Sequence, residues 1–220
     1  MRAQVAGSRR FRSKSLILLL STISALLLVR APIVGQKTPR IGDSEIIQTL
    51  DRLNVLGSVL VIGAHPDDEN NRTLAYLARG RHLRTGYLSL TRGEGGQNLL
   101  GSERYEALGL IRTQELLAAR RVDGAEQYFT RAFDFGFTKS YEETLAKWGR
   151  ERVLADMVRV IRRFRPDLIV TCFSPTEKTD HGMHTASAFL APVALEAAAD
   201  RKSTRLNSSH IQKSRMPSSA

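Results

Sequence analysis

Short apolar segments alternate with longer segments of helical spacing through the middle of the chain. Strands are predicted over residues 58–63, 83–90, 126–132 and 167–173. The first and the last of these are continuous apolar runs, which are typical of strands buried on both faces. Helices are predicted over 70–79, 104–122 and 141–165 and in an Ala-rich segment after residue 184. Pro166 ends the third helix, and Pro192 predicts a break or a restart in the fourth.

Strands that alternate with helices predict an α/β fold, in which helices cover both faces of a mostly parallel sheet. Ligands of such sheets bind beyond the carboxyl ends of the strands. Two polar clusters follow predicted strands, AHPDDE at 64–69 and TDHGMH at 179–184. The topology therefore predicts that both clusters lie at the same edge of the sheet, although more than a hundred residues separate them.

The basic charge of the protein is concentrated at its two ends. The 220 residues carry 33 Lys and Arg against 22 Asp and Glu, a formal net charge of +11. Residues 1–40 contain eight of the basic residues and 201–220 contain five, with no acidic residue in either segment. The middle of the chain, 41–200, therefore has a net charge of −2. Net charge thus gives no support for nucleic-acid binding, and no nucleic-acid partner is expected.

The N-terminal segment has the pattern of an export signal. Basic residues between Arg2 and Lys14 precede a mostly apolar stretch at 16–29, which is short for a membrane span. We expect a signal peptide over 1–35, a lead-in segment over 36–57, and export to the periplasm or the extracellular space. An uncleaved N-terminal anchor is the alternative, and this segment alone would then contact the membrane.

The C-terminal segment 201–220 differs in composition from the rest of the chain. It is rich in Ser and basic residues and has little to bury, which predicts disorder. It also resembles translated adaptor sequence. We therefore expect that the natural protein continues differently after about Asp200 and that the fold is truncated at this end.

The first polar cluster, AHPDDE, combines a histidine with three consecutive acids. Pro66 favours an extended conformation at His65, which ends the strand before the chain turns into a helix. His65 and Asp68 are three residues apart, so a helical turn brings them to one side while Asp67 points elsewhere. This pattern suits a metal held by His65 and Asp68, with Asp67 facing a substrate. The alternative is that the acids only stabilise a helix N-terminus.

The second cluster contains His181 and His184, which can face one way at a strand-to-helix transition. On their own they are better interpreted as solvated or capping histidines. Cys172 is the one cysteine of the chain, so any metal needs His and carboxylate ligands. His65, Asp68 and one histidine of this cluster form a set of two imidazoles and one carboxylate. That set suits Zn²⁺ with an open position for water, and it also accommodates Fe²⁺.

Five segments, in this order, resemble a known family: VIGAHPDDE, TRGEGG, IRTQEL, FDFGF and DHGMHTASA. Together they resemble the PIG-L (LmbE-like) deacetylases from residue 58 to about 199. The resemblance implies a Rossmann-like three-layer α/β sandwich over 58–200, in an N-terminal fragment of a longer member. It also implies a zinc-dependent amidohydrolase that removes the acetyl group from an N-acetylglucosamine-type sugar or glycoconjugate.

The resemblance also implies roles for seven residues. Metal ligands are His65, Asp68 and His184, the general base is Asp67, the second catalytic residue is His181, and sugar contacts come from Arg112 and Asp134. A water bound to Zn²⁺, or to Fe²⁺ or another divalent ion, would attack the amide. His181 in its charged form would steady the oxyanion or protonate the leaving amine.

The second cluster departs from the common family form, which is His-Pro-Asp-His. Met183 stands where that form has the Asp that supports the neighbouring histidine. Asp180, at the preceding position, could supply the support instead. The replacement of this Asp affects the predicted role of His181 as an acid more than the predicted role of His184 as a metal ligand.

Two other functions are consistent with the same residues. The first is a non-catalytic, secreted sugar-binding module that keeps the fold. The second is a metal-dependent hydrolase of another bond, such as a phosphoester, although such enzymes often use two metals. Acetate release from N-acetyl sugars separates the predicted deacetylase from both.

Overall fold

The computed structural model describes residues 42–176 and 181–200 of the chain. In chain order the elements are α1 (Asp43–Arg52), β1 (Ser58–Gly63), α2 (Asn71–Ala75, continued by a π-helical turn over Tyr76–Gly80), β2 (Arg84–Ser89), α3 (Glu106–Asp123), β3 (Glu126–Phe129), α4 (Tyr141–Trp148), α5 (Arg150–Phe164), β4 (Leu168–Thr171) and α6 (Gly182–Ala199). None of these helices is long and apolar enough to span a bilayer. The predictions for the signal peptide 1–35, for Asp180 and for the tail 201–220 concern residues outside this description.

The four described strands form one parallel sheet with the order β3-β2-β1-β4. Within it, Ser58 of the central strand β1 pairs with Arg84 of β2, and Val59 pairs with Leu168 of β4. The chain places β2 and β3 on one side of β1 and then returns to place β4 on the other side. This reversal opens a crevice at the carboxyl ends of β1 and β4, where ligands of open α/β sheets bind. The predicted α/β fold with a mostly parallel sheet is confirmed.

Helices cover both faces of the sheet, so the fold has three layers. On one face, Leu60 and Ile62 of β1 belong to a core shared with α4, α5 and α6. On the opposite face, Val61 packs with Leu74 of α2 and Leu116 of α3. Successive residues of a strand point to opposite faces, so a strand covered on both sides is apolar throughout.

The helix predicted over 141–165 consists of two helices, and the prediction of one continuous helix is wrong. Gly149 has a φ of 71°, in the left-handed region, and it separates α4 from α5. The apolar spacing continues across the glycine, which is why periodicity did not reveal the break. Trp148, the last residue of α4, donates from its indole Nε1 to the carbonyl of Phe133 at 2.9 Å.

The last helix, α6, runs through Pro192 without the predicted break. Leu190, Ala191 and Ala194 are buried on both sides of the proline. Tertiary packing supplies most of the stability of helices in proteins. Here it outweighs the hydrogen bond that the proline cannot make.

Two apolar segments are less buried than the sequence pattern suggests. The strand predicted over 167–173 to be buried on both faces has side chains that are 56% exposed at Leu168 and 39% exposed at Val170. Among the described residues β4 pairs with β1 alone, so its outer edge is not covered by a further strand. Helix α1, in the predicted lead-in segment, was not foreseen, and none of its residues is buried.

Candidate metal centre

The first polar cluster forms a tight turn at the carboxyl end of β1. Asp68 folds back so that its Oδ2 accepts hydrogen bonds from the backbone N–H groups of Ala64 and His65, both at 2.7 Å. Gly63 permits this close approach, because a Cβ at that position would lie 3.0 Å from the Cβ of Asp68. The turn therefore presents the His65 imidazole and the Asp68 carboxylate on the same side, as predicted. The prediction that a helical turn does this is wrong, because residues 64–69 form a non-helical turn and α2 begins only at Asn71.

The structure brings the three predicted metal ligands together at this turn. Nε2 of His184, in the first turn of α6, lies 3.2 Å from Nδ1 of His65 and 3.4 Å from Oδ1 of Asp68. Nδ1 of His65 lies 3.6 Å from Oδ2 of Asp68. Phe173 stacks on His184 with 3.8 Å between the ring centroids, which orients the imidazole.

These separations fit a divalent ion. In a tetrahedral zinc site with bonds of about 2.0–2.1 Å, neighbouring ligand atoms lie about 3.3 Å apart. One ligand atom from each of the three residues lies within 4.8 Å of the others. The two imidazole nitrogens are 3.2 Å apart, and each lies 3.4 or 3.6 Å from one of the two carboxylate oxygens of Asp68. Among the described residues the candidate set has three members, and three protein ligands with an open fourth position are the pattern of catalytic rather than structural zinc sites.

The electrostatics of the centre favour a cation. Burial by itself would raise the pKa of the Asp68 carboxyl, but hydrogen bonds from His184 and His65 hold that pKa far below its usual range. Burial would also lower the pKa of His65, but the hydrogen bond and the charge of Asp68 outweigh it and leave that pKa raised. Without a metal the centre therefore attracts a proton, and a divalent ion would take the place of that positive charge.

The second ring nitrogen of His65 faces two buried side chains. Nε2 lies 3.4 Å from the sulfur of Met183 and 3.9 Å from Oδ2 of Asp134. A histidine that ligates a metal through one nitrogen usually donates the proton on the other to an acceptor that fixes the ring. Met183 therefore lies in a supporting position beside His65, 118 residues away in the chain. In the sequence pattern Met183 counts only as a replacement for the Asp that supports the neighbouring histidine in the common family form.

His181 lies against both histidines of the centre, at the residue that caps α6. Its ring centroid is 5.0 Å from that of His65 and 4.7 Å from that of His184. Its Nδ1 accepts a hydrogen bond from the backbone N–H of Met183 at 3.3 Å, which leaves the ring proton on Nε2. Burial, together with the charges of His65 and His184, lowers the pKa of His181 to about 4. This lowered pKa favours the neutral imidazole, whereas the resemblance implies a charged His181 during the reaction.

Asp67 and Arg112 form an ion pair at the rim of the centre. Oδ2 of Asp67 lies 3.0 Å from Nη2 of Arg112. The Asp67 side chain is 70% exposed, whereas that of Asp68 is 7% exposed. The two neighbouring acids thus face different surroundings, as the sequence predicts. Gly93 packs closely against the Arg112 guanidinium group. A Cβ at position 93 would come within 2.5 Å of Nη1 of Arg112.

Asp134 is held in place by a residue that the sequence pattern did not single out. Glu94 is buried, and its Oε2 accepts hydrogen bonds from the backbone N–H groups of Asp134 and Arg92, both at 3.1 Å. Asp134 is itself buried, and its Oδ1 accepts from the backbone N–H of Gly136 at 2.9 Å. The one feature of the sequence that could have indicated this role is the position of Glu94 as an acid inside the Gly-rich segment TRGEGG. That segment positions both residues predicted to contact the sugar.

Gly95 offers a direct test of this arrangement. A Cβ at Gly95 would lie 2.5 Å from Oδ1 of Asp134 and would also meet the backbone nitrogen of Gly136. We expect Gly95→Ala to lower the free energy of unfolding by about 1–3 kcal/mol, because overpacking forces the backbone to shift. Urea denaturation measures the change. Gly80→Ala, where the nearest atom is 3.3 Å away on a side chain, is the control, and equal effects of the two substitutions would contradict the assignment.

Tyr87 of β2 supports the turn from behind. Its hydroxyl donates to the carbonyl of His65 at 2.5 Å. Burial, with the charges of Asp68 and Glu69, raises the pKa of Tyr87 well above its usual value, so the hydroxyl stays a donor. The backbone of the candidate ligand His65 is thus tied to the sheet.

Removal of that hydroxyl should destabilise the protein. In Tyr87→Phe the carbonyl of His65 loses its buried donor, which costs about 1–3 kcal/mol of the free energy of unfolding. Urea denaturation of this variant is compared with that of Tyr76→Phe, in which Tyr76 is 60% exposed and the cost should stay below about 0.5 kcal/mol. A loss no greater than that of the control would show that the hydrogen bond is unimportant.

The third acid of AHPDDE, Glu69, lies outside the centre. Its Oε1 accepts from Nη2 of Arg120 at 3.1 Å, and the same guanidinium group is 2.7 Å from Oδ2 of Asp123. All three side chains are buried. Glu69 therefore contributes to a buried ion-pair network between the turn and α3.

The fold and the donor set define an α/β protein with a candidate mononuclear metal centre at the switch point of its sheet. Residues 60–194 match the family described as GlcNAc-PI de-N-acetylase, PIG-L. The chain belongs to this family. The match covers both polar clusters and the helices that position them.

Curated relatives include two bacterial deacetylases. Both are 1D-myo-inositol 2-acetamido-2-deoxy-alpha-D-glucopyranoside deacetylases. That of Geodermatophilus obscurus is 34% identical over 161 residues, 64% of this chain and 54% of the relative. That of Streptomyces griseus is 32% identical over 161 residues, 64% of this chain and 49% of the relative. The chain spans about half the length of the curated relatives it matches.

Two solved structures share the fold. The N,N'-diacetylchitobiose deacetylase from Pyrococcus horikoshii is 20% identical with a TM-score of 0.50, over 71% of this chain and 56% of that one. GalB, the 4-carboxy-2-hydroxymuconate hydratase of Pseudomonas putida KT2440, is 21% identical with a TM-score of 0.52, over 67% of this chain and 59% of that one. A hydratase and a deacetylase thus share this architecture, so the function must be argued from the site.

Proposed function

We propose that the protein is a metal-dependent deacetylase that hydrolyses the N-acetyl amide of an N-acetylglucosamine-type sugar or glycoconjugate. The observation that carries this proposal is the convergence of His65, Asp68 and His184 within 4.8 Å, with Asp67 beside them in the same turn. Membership of the PIG-L family supports it, as do the two curated relatives, which are deacetylases of an acetamido sugar.

Zn²⁺ is the proposed ion, and Fe²⁺ or another divalent ion suits the same donors. His65, Asp68 and His184 would hold it. When bound, such an ion supplies Lewis-acid polarisation of the amide carbonyl and makes water more acidic. The side chains around the centre perform the proton transfers and orient the substrate.

Asp67 is the proposed general base. Its carboxylate is exposed at the rim, and the ion pair with Arg112 fixes its direction. It accepts a proton from the attacking water while the new carbon–oxygen bond forms at the acetyl carbon. A positioned base of this kind contributes about 10²–10⁴ to the rate.

His181 is the proposed donor to the oxyanion. Its Nδ1 accepts from the N–H of Met183, which assigns the ring proton to Nε2, and in the proposed reaction Nε2 donates to the developing negative charge. The proton held by Asp67 then passes to the leaving nitrogen as the carbon–nitrogen bond breaks. The products are acetate and a free amino sugar. Arg112 and Asp134 are the proposed sugar contacts.

Metal analysis combined with acetate release tests the proposal on the full chain. We expect about one divalent ion per chain and release of acetate from a panel of N-acetyl sugars, with activity lost on treatment with EDTA and restored by Zn²⁺. Bound zinc without acetate release from any sugar would favour the sugar-binding module. Hydrolysis of a phosphoester but of no acetamide, in the same assay, would favour the other hydrolase.

We also propose that the protein is exported through its N-terminal segment, on the basis of the basic residues and the apolar stretch before Gly35. N-terminal sequencing of the protein recovered from a bacterial host tests this. Cleavage near Gly35 in the exported fraction is the expected result. A product found only in the cytoplasm with its first residues intact would contradict it.

A further inference from the structure

A cleft of about 560 Å³ lies along β3 and α5, and its lining residues include none of the candidate metal centre. Four arginines line it: Arg92, Arg131, Arg159 and Arg163. Asp156 is the one carboxylate among the lining residues. Glu126 of β3, outside the lining, faces Arg163 as well as Arg84. The lining residues still carry more positive than negative charge, whereas the middle of the chain as a whole has a net charge of −2.

Asp156 holds two of the guanidinium groups in place. Arg131 approaches its carboxylate at two points, with Nε at 2.7 Å from Oδ2 and Nη2 at 2.9 Å from Oδ1. Arg159 adds a contact from Nη1 to Oδ1 at 2.6 Å. A guanidinium group has five N–H donors, so each arginine keeps donors for a second anion. Since their orientation is already set, little side-chain entropy is lost when that anion binds.

The Arg92 side chain is also held in place, but by contacts other than an ion pair with an acidic side chain. Its Nη1 donates to the carbonyl of Thr130 at 3.1 Å, and its Cζ lies 4.6 Å from the centroid of the Phe129 ring. Arg163 approaches the cleft from the last turn of α5. Arg92 and Arg163 are therefore the two guanidinium groups of the cleft that Asp156 does not hold.

We propose that this cleft binds a phosphate monoester group of a small molecule. A dianionic group with three terminal oxygens matches several guanidinium groups that line one cleft from different elements, since each can donate two parallel hydrogen bonds. The proposal is independent of the deacetylase function, because it uses different residues and needs no metal.

The test is a calorimetric titration of the full, metal-free chain with glucose 6-phosphate, and with glucose as the uncharged control. We expect binding of the phosphate ester alone, with an affinity that falls as the salt concentration rises. The variant Arg92→Gln/Arg163→Gln should weaken binding at least tenfold, which corresponds to about 1.4 kcal/mol. Arg163→Gln alone, at an exposed position, should weaken binding by a smaller factor and avoids any loss of the Arg92 contacts.

Two further variants show whether the phosphate ester binds in the cleft or elsewhere on the protein. Arg72→Gln/Arg121→Gln removes the same charge from two exposed positions outside the cleft and should leave the affinity unchanged, as should His184→Ala in the metal centre. If both double variants weaken binding equally, the affinity depends only on the overall charge of the protein, and the cleft is not the binding site. Loss of binding in His184→Ala would place the phosphate at the metal centre. If the unmodified chain does not bind the phosphate ester, the proposal is wrong. The arginines would then serve only to prevent the edge strand β3 from pairing with another chain.

Discussion

Asp67→Asn should retain bound metal and release acetate about 10²–10⁴ times more slowly than the unmodified protein. The expected loss is that of a general base, because the amide of Asn cannot accept the proton of the attacking water. The metal should stay, because Asp67 is 70% exposed at the rim and pairs with Arg112, while the proposed ligands of the centre are Asp68 and the two histidines. Metal content and the rate of acetate release are measured on the same preparation.

Asp51→Asn is the matched control, since Asp51 is an exposed aspartate whose neighbour is His82. It should change neither quantity. Asp67→Asn with an unchanged rate would remove the base assignment. Loss of metal from Asp67→Asn would show instead that Asp67, and not Asp68 alone, contributes a ligand.

His184→Ala should abolish stoichiometric metal binding and acetate release together. It removes one of three ligands whose atoms approach each other to 3.2–3.6 Å. Loss of an outer partner of a metal ligand already costs about 10–100-fold in affinity, so loss of the ligand itself should cost more. Metal content after dialysis and a zinc titration give the affinity.

Thermal unfolding supplies an independent readout of the same variant. At a free zinc concentration of a hundred times the Kd, the unmodified protein should gain about 2.7 kcal/mol of stability, and His184→Ala should gain none. His82→Asn, which removes an imidazole away from the centre at a residue with a φ of 57°, should keep the full gain. An equal zinc effect in all three proteins would show that the ion binds elsewhere.

From the residues alone, the sequence predicted His65, Asp68 and one histidine of the second cluster as candidate ligands, and the resemblance to the family selected His184. The run at 58–63 is apolar because β1 is covered on both faces, and that run locates the end of the strand at Gly63, two residues before His65. The spacing of His65 and Asp68 predicts that they share one side, and the structure places them 3.6 Å apart. The side that His65 and Asp68 share depends on local geometry, which a few neighbouring residues control. The meeting of the two clusters follows instead from the parallel topology, in which ligands bind beyond the carboxyl ends of the strands.

Periodicity was a weaker guide to where helices end. It predicted one helix across Gly149 and a break at Pro192, and both predictions were wrong. The apolar spacing of α4 continues into α5, so only the left-handed φ of Gly149 marks the boundary. At Pro192 the packing of Leu190 and Ala194 decides the outcome. Both cases depend on free energies that come from distant parts of the chain.

The residues that surround the candidate ligands are determined by the tertiary structure and could not be predicted from the sequence. Met183 reaches Nε2 of His65 across 118 residues, and Glu94 anchors Asp134 across 40. Neither contact has a signature in spacing, because each joins segments that meet only when the helices pack on the sheet. Residue types and local spacing thus specify which groups can bind a metal. The packing of separate segments sets which atoms face the candidate centre, and it shifts the pKa values of His65 and His181 through burial and neighbouring charges.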